Sequence, residues 1–184
     1  EKEVTIGEST FKLPSPFLVI ATQVPLPEGT YSLPYIVLDR FAYGIEIGLP
    51  SKEEEMRILD VSYLTDSPDV RPVIEPKKVL ELNNLVKGVK VSDGVKDYIV
   101  SLIRGLREDS DLTYKPSVRA SIWLYRASKA VAFLEGRDFV IPDDVKFVFP
   151  YAVYHRIVLK PEIAIEKDKK EKIRAVLESV RVPK

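Results

Sequence analysis

The spacing of apolar residues changes at Ser51, and that change constrains the fold of this 184-residue chain more than any other feature. Before Ser51 the pattern is that of strands. Val4 and Ile6 alternate with polar neighbours, Gly7 sits at a turn, and Phe11 and Leu13 resume the alternation, which predicts a hairpin over 3–12. Residues 17–21 (FLVIA) form a continuous apolar run, the pattern of a strand buried on both faces of a parallel sheet. The stretch 23–34 is too rich in Pro and Gly for a long element, and a helical turn is expected over 35–41. Residues 43–49 alternate again and read as a second strand, closed by Pro50. One hairpin and two strands cannot cover themselves. The segment before Ser51 is therefore expected to be an incomplete α/β piece.

After Ser51 the period becomes helical. Ser51 and Glu54 have the spacing of a capping box, with Met56, Leu59 and Tyr63 on one face of the helix that follows. Residues 65–75 read as a linker. Pro76 suits a first helical position, with Val79, Leu82 and Val86 as its stripe. Ser92 caps a helix whose core face is Val95, Tyr98, Ile99, Leu102, Ile103 and Leu106. Residues 109–116 read as a loop. The longest helix is expected over 117–135, with Leu124, Ala127, Val131 and Leu134 inward and Gly136 as its C-terminal cap. A short extended link, 139–141, leads to a helix opened by Pro142, Asp143 and Asp144, which Pro150 should break or kink. A last helix, 167–180, turns Ile173, Val176, Leu177 and Val180 inward.

Composition excludes several classes. Hydrophobic residues make up 45% and charged residues 30%, as in a globular protein rather than a disordered one. Lys plus Arg equals Asp plus Glu at 28 each, so net charge argues for neither nucleic acid nor membrane. No aromatic-basic stripe and no membrane-spanning apolar run occurs, and cysteine is absent. A cytoplasmic location is expected. Gln23, Asn83, Asn84 and Met56 are the chain's only residues of those thermolabile types, a bias of hyperthermophile proteins that compositional drift also produces.

The chemistry is defined first by what is missing. The eight glycines build no G-x-x-x-x-G-K-[ST] loop, and no apolar strand ends in Asp-Glu to hold Mg²⁺. On its own the chain is not expected to hydrolyse ATP by a phosphate-loop mechanism. His155 is the single histidine, so His-rich metal sites are not expected, and its position near a helix end suits a structural role. Two arginines stand out. Arg40 follows Asp39 between a loop and a strand-like segment, where an exposed ion pair worth little is the plain alternative. Arg119 lies in the first turn of the longest helix, where it opposes the helix dipole. A nearby anion would offset that cost, whether a ligand or a tertiary acidic side chain.

Around these residues the chain resembles a known family. ATQVPLPEGTYSLPYIVLDRF followed by IGLPSKEEEMRIL is similar to the segment after the Mg²⁺-binding strand of MoxR-type AAA+ ATPases. SVRASIWLYRASKAVAFLEGRDFVIPDDVKFVFPYAVYHRI resembles that family's lid domain. The likeness runs over 4–182 and implies the fold: part of a phosphate-loop AAA+ core with few strands, then an all-α lid bundle. It implies the boundaries 1–64 for the core portion, 65–75 for a linker, 76–163 for the lid and 164–184 for a C-terminal helix and tail. It further implies that the phosphate loop and Mg²⁺-binding strand lie upstream of Glu1.

By the same resemblance, Arg40 is the arginine finger, reaching a neighbouring subunit's γ-phosphate, and Arg119 is the second sensor. The hairpin at 3–12 resembles the one preceding the first sensor. ATP and Mg²⁺ are implied for the intact parent, with neither bound tightly by this portion alone. A hexameric ring and von Willebrand factor A domain clients are implied partners. The chain departs from the family at Val24, where the first sensor is usually Asn and a valine cannot hydrogen-bond. Gln23 is the nearest substitute, but strand alternation points it the other way. Tyr35 and Ile36 stand where Glu-Ala is usual. The alternative function is a stand-alone helical interaction module without nucleotide chemistry.

Overall fold

The computed structural model describes residues 3–23, 33–61, 70–165 and 167–183. The hairpin forms as its pattern demands. Strands β1 (Glu3–Ile6) and β2 (Ser9–Lys12) pair antiparallel with Ile6 opposite Ser9. That register leaves a two-residue turn, which Gly7 enters at φ 62, a conformation side chains resist.

The two longer strand expectations are not met. Residues 17–21 and 43–49 form no regular element and join no sheet among the described residues. Leu18 is 78% exposed, Ile20 81% and Ile47 90%. A strand is defined by its ladder, and no described segment supplies one beside either run. Helix α1 (Tyr35–Leu38) is a single turn, and α2 (Lys52–Val61) follows. The capping box that starts α2 is formed in both directions: Ser51 N–H donates to Glu54 Oε2 at 2.8 Å, and Glu54 N–H donates to Ser51 Oγ at 3.3 Å. Its apolar residues Met56 and Leu59 remain exposed. Tyr63 and much of the expected 65–75 linker lie outside the described residues.

The core belongs to the helices after Pro76. Helix α3 (Pro76–Lys87) half-buries Val79, Leu82 and Val86, the stripe its sequence spells out. Helix α4 (Asp93–Glu108) is capped by Ser92 Oγ, which accepts from Val95 N–H at 3.3 Å. It buries Val95, Tyr98, Ile99, Leu102, Ile103 and Leu106, all six residues of its apolar stripe. At about 2 kcal/mol for each fully buried large side chain, this face is a major stabilising element. Gly105 lets the last helix approach α4, since a Cβ there would sit 3.1 Å from Val176 Cγ1.

Helix α5 (Val118–Leu134) starts at the Ser117 cap and ends before Gly136, whose φ is 74. Its buried row is Ala120, Leu124, Ser128 and Ala132, with Ala127 and Val131 partly buried beside it. Leu134, expected inward, is 81% exposed. The small side chains take the inner row because α5 lies between α4 and α6 (Pro142–Val153), and close helix packing leaves no room for a leucine at every turn. Pro150 does not break α6, which continues to Val153. The proline falls in the last turn, where buried Ala152 and Val153 hold the helix against the core. A 3₁₀ turn, Tyr154–Arg156, follows.

Residues 109–116, expected as a loop, contain β3 (Leu112–Tyr114), paired antiparallel with β4 (Val158–Leu159). The link near Phe139 makes a parallel bridge with Lys90. Helix α7 (Pro161–Ala164) is one turn, and α8 (Lys169–Ser179), capped by Asp168, buries Ile173 and Val176 against α4 and α6.

Candidate functional site

The site is built where the segment after α1 meets the helical bundle. Pro34 sets an extended entry, and α1 closes after one turn through Asp39 N–H to Tyr35 O (2.9 Å), Arg40 N–H to Val37 O (3.1 Å) and Phe41 N–H to Leu38 O (3.1 Å). These bonds put Asp39 and Arg40 in a tight turn. Aromatic rings fasten both flanks to the bundle. Tyr35 stacks on Tyr114 of β3 with centroids 3.9 Å apart, and Tyr43 meets Trp123 of α5 edge-on at 6.2 Å. Gly44 N–H donates to Tyr151 O at 2.9 Å, so part of the expected second strand is bonded to the end of α6 instead.

At the centre is Arg156, whose side chain is fully buried. Its Nε donates to Asp39 Oδ1 at 3.1 Å, Nη1 to Ala42 O at 3.0 Å and to Ala152 O, and Nη2 to Asp39 O at 3.1 Å and to Phe41 O. All five guanidinium N–H donors thus have acceptors. Burial pushes the Arg156 pKa down, Asp39 works against that, and arginine stays charged in proteins. The second oxygen of Asp39, Oδ2, accepts from Ser117 Oγ at 2.7 Å and from Arg119 Nη1 at 3.3 Å. Burial acts to raise the Asp39 pKa, but the hydrogen bonds of Ser117 and Arg119 and the charge of Arg156 prevail, leaving it below the ordinary carboxylate value.

His155 completes the junction. Its Nε2 donates to Phe41 O at 3.1 Å, while Nδ1 is buried without a hydrogen-bond partner. Burial and the adjacent Arg156 lower its pKa to about 4, so the ring is neutral at neutral pH and plays a structural part. Its Cβ and Nδ1 would each lie 2.8 Å from a Cβ at position 44, so the approach requires Gly44.

The arginines singled out in the sequence therefore flank one acidic residue. Arg119 projects from the start of α5 to Asp39, which is the anion its opposition to the helix dipole called for. Arg40 follows Asp39 directly, is exposed, and has no side-chain hydrogen bond or ion pair among the described residues. It does not pair with Asp39. Gln23 is exposed, outside any regular element, and makes no hydrogen bond to either arginine, and Val24 lies outside the described residues. Asp39 and Arg156 were not among the sequence candidates. Arg156 had a signal: it is a lone arginine between Val153 and Ile157, both fully buried. A charge in such a run needs a partner. Asp39, 117 residues away, is too distant in sequence to have been read as that partner.

The described residues include no cluster of three or more His, Asp or Glu that could hold a metal ion. No helix among them is long and apolar enough to cross a membrane.

Residues 104–176 match the AAA lid domain family, and residues 1–43 match the ATPase family associated with various cellular activities (AAA). The chain is 37% identical to uncharacterized protein YeaC of Bacillus subtilis, over all of this chain and 58% of that protein. It is 36% identical to chaperone MoxR1 of Mycobacterium tuberculosis, over all of this chain and 51% of that one. A crystal structure of a candidate ATPase from Cytophaga hutchinsonii superposes with a TM-score of 0.86 at 35% identity, covering the whole chain and 59% of that structure. The chain thus spans between half and three-fifths of the length of these relatives. Family matches to two segments, likeness to chaperone MoxR1 over the whole of this chain and a shared fold agree: this chain belongs to the MoxR-type AAA+ ATPases, with a core segment followed by a helical lid.

Proposed function

We propose that the chain supplies the arginine-finger segment and lid of a MoxR-type ATPase that couples ATP binding and hydrolysis to the remodelling or activation of client proteins. One observation carries this reading. Arg40 is exposed and unpaired among the described residues, yet its neighbours Asp39, Phe41 and Ala42 are bonded to the bundle. An arginine presented from so firmly bonded a turn suits a finger reaching a neighbouring subunit's γ-phosphate, where it would neutralise charge developing in the transition state. Arg119, on the same junction, is suited to sense nucleotide as the second sensor, with Asp39 holding it meanwhile. Gln23 and Val24 keep their proposed place as a degenerate first sensor. Turnover would require a phosphate cradle, and the sequence of this chain contains no G-x-x-x-x-G-K-[ST] loop to build one. A hexameric ring and von Willebrand factor A domain clients are part of the proposal.

The test uses the full-length, ring-forming ATPase. Arg40→Ala should lower turnover by about 10³-fold or more while nucleotide affinity stays nearly unchanged. Arg119→Ala should weaken nucleotide binding or uncouple it from the lid. Equal loss of binding in both variants would refute the division of roles. A second reading, a stand-alone helical interaction module, draws support from the Arg119–Asp39 pair, which already neutralises one sensing arginine within the chain. A purified chain that is monomeric, and whose full-length form binds no nucleotide, would favour it.

A further inference from the structure

We propose that Arg156 is a positioning residue for Arg40, and Asp39 for Arg119, so that one buried clasp sets both arginines relative to the lid. The proposal rests on the reading of Arg40 and Arg119 given above. Its basis is the distribution of the Arg156 hydrogen bonds. Four of the five go to Asp39, Phe41 and Ala42, and the fifth to Ala152. Arg156 thus holds the chain on both sides of Arg40 and leaves the Arg40 side chain alone. Asp39 then shares its carboxylate, Oδ1 with Arg156 and Oδ2 with Ser117 and Arg119. Buried Arg156 and surface Arg119 are thus linked through the three atoms of one carboxylate, on the residue that immediately precedes Arg40.

Geometry of this kind has a mechanical result. The turn carrying Arg40 is bonded to α6 and to the following 3₁₀ turn, and Arg119 stands at the start of α5, which packs on α6. A lid rotation would therefore carry both arginines together, and the finger offered to a neighbour would report the lid position of its own subunit. A lysine at 156 keeps the charge but has three donors instead of five in a planar fork. At least two of the present acceptors would lose their partner.

Two measurements separate positioning from simple support of the fold. First, hydrogen exchange on the 184-residue chain carrying Arg156→Lys should accelerate at the amides of Asp39, Arg40, Phe41 and Gly44, while the α4 core amides keep their protection. Uniform acceleration, or none at the turn, overturns the proposal. Second, in the full-length ATPase, Arg156→Lys should reduce turnover at saturating ATP by about 10²-fold, the cost of a misplaced catalytic group, with little change in nucleotide affinity. Combined with Arg40→Ala it should cost no more than Arg40→Ala alone, because both act through one group. Additive losses would overturn the proposal. Asp39→Asn offers an independent variant. Its amide turns donors toward Arg119, so nucleotide binding should weaken as in Arg119→Ala. Unchanged binding in Asp39→Asn alongside weakened binding in Arg119→Ala would refute the Asp39 role. If the unmodified full-length protein shows no ATP turnover, the functional reading fails. The exchange experiment still decides whether Arg156 fixes the turn.

Discussion

Acidification should weaken the junction between the segment after α1 and the helical bundle well before ordinary carboxylates titrate. His155 has a pKa of about 4 in the folded protein against 6.5 unperturbed, through burial first and the adjacent Arg156 second. A histidine pKa depressed by folding means that the unfolded chain binds the proton more tightly. Its contribution is complete above pH 6.5 and is lost as pH falls toward 4. At about 1.4 kcal/mol per unit, the full shift corresponds to roughly 3 kcal/mol. Partial solvent screening reduces this to about 2 kcal/mol, of which about 1 should disappear between pH 7 and pH 5. The chain has a single histidine, so one imidazole resonance followed by NMR gives this pKa without assignment. Urea midpoints measured in parallel give the stability slope. Asp39, whose pKa is also lowered, adds a second loss only below its ordinary value of 3.8. A resonance titrating near 6.5, or a stability slope between pH 7 and 5 that persists in His155→Gln, would refute the reasoning.

Two further outcomes are expected from the packing. Gly44→Ala puts a methyl group 2.8 Å from the His155 ring, so the segment must shift; a loss of about 1–3 kcal/mol in chemical denaturation is expected, with faster exchange at the Gly44 amide. Leu102→Ala, at a site with no solvent exposure in the core face of α4, should cost about 2–5 kcal/mol by the same denaturation assay, and a cost below 1 would mean the core relaxes around the cavity.

Legibility in the sequence followed the range of the forces involved. The α4 face was readable residue by residue, because helical period and burial are both local facts, and the Ser51–Glu54 box was readable for the same reason. Leu134 departs from its expected place because apolar character alone ignores how closely neighbouring helices approach; the inner row of α5 holds Leu124 with the small residues Ala120, Ser128 and Ala132. Residues 17–21 and 43–49 carry strand-like patterns without a ladder, since a pattern records what a segment would do beside sheet neighbours. β3 was missed because its partner, β4, is a two-residue strand more than 40 residues later. The site divides in the same way. Arg40 and Arg119 draw notice in the sequence through their local contexts and the family resemblance, whereas the Asp39–Arg156 pair beside them exists only in three dimensions.

The clasp also bears on how freely this region can drift in sequence. Three of the four Arg156 bonds to the turn end on main-chain carbonyls, those of Asp39, Phe41 and Ala42. Every amino acid carries such a carbonyl, proline included. The side chains at 41 and 42 can therefore be exchanged without removing an acceptor. At 39 the carboxylate itself is held, and there a substitution disturbs Arg156, Ser117 and Arg119 at once. Relatives that keep the clasp would be free to vary at two of its three gripped positions, and tied to a single residue type at the third.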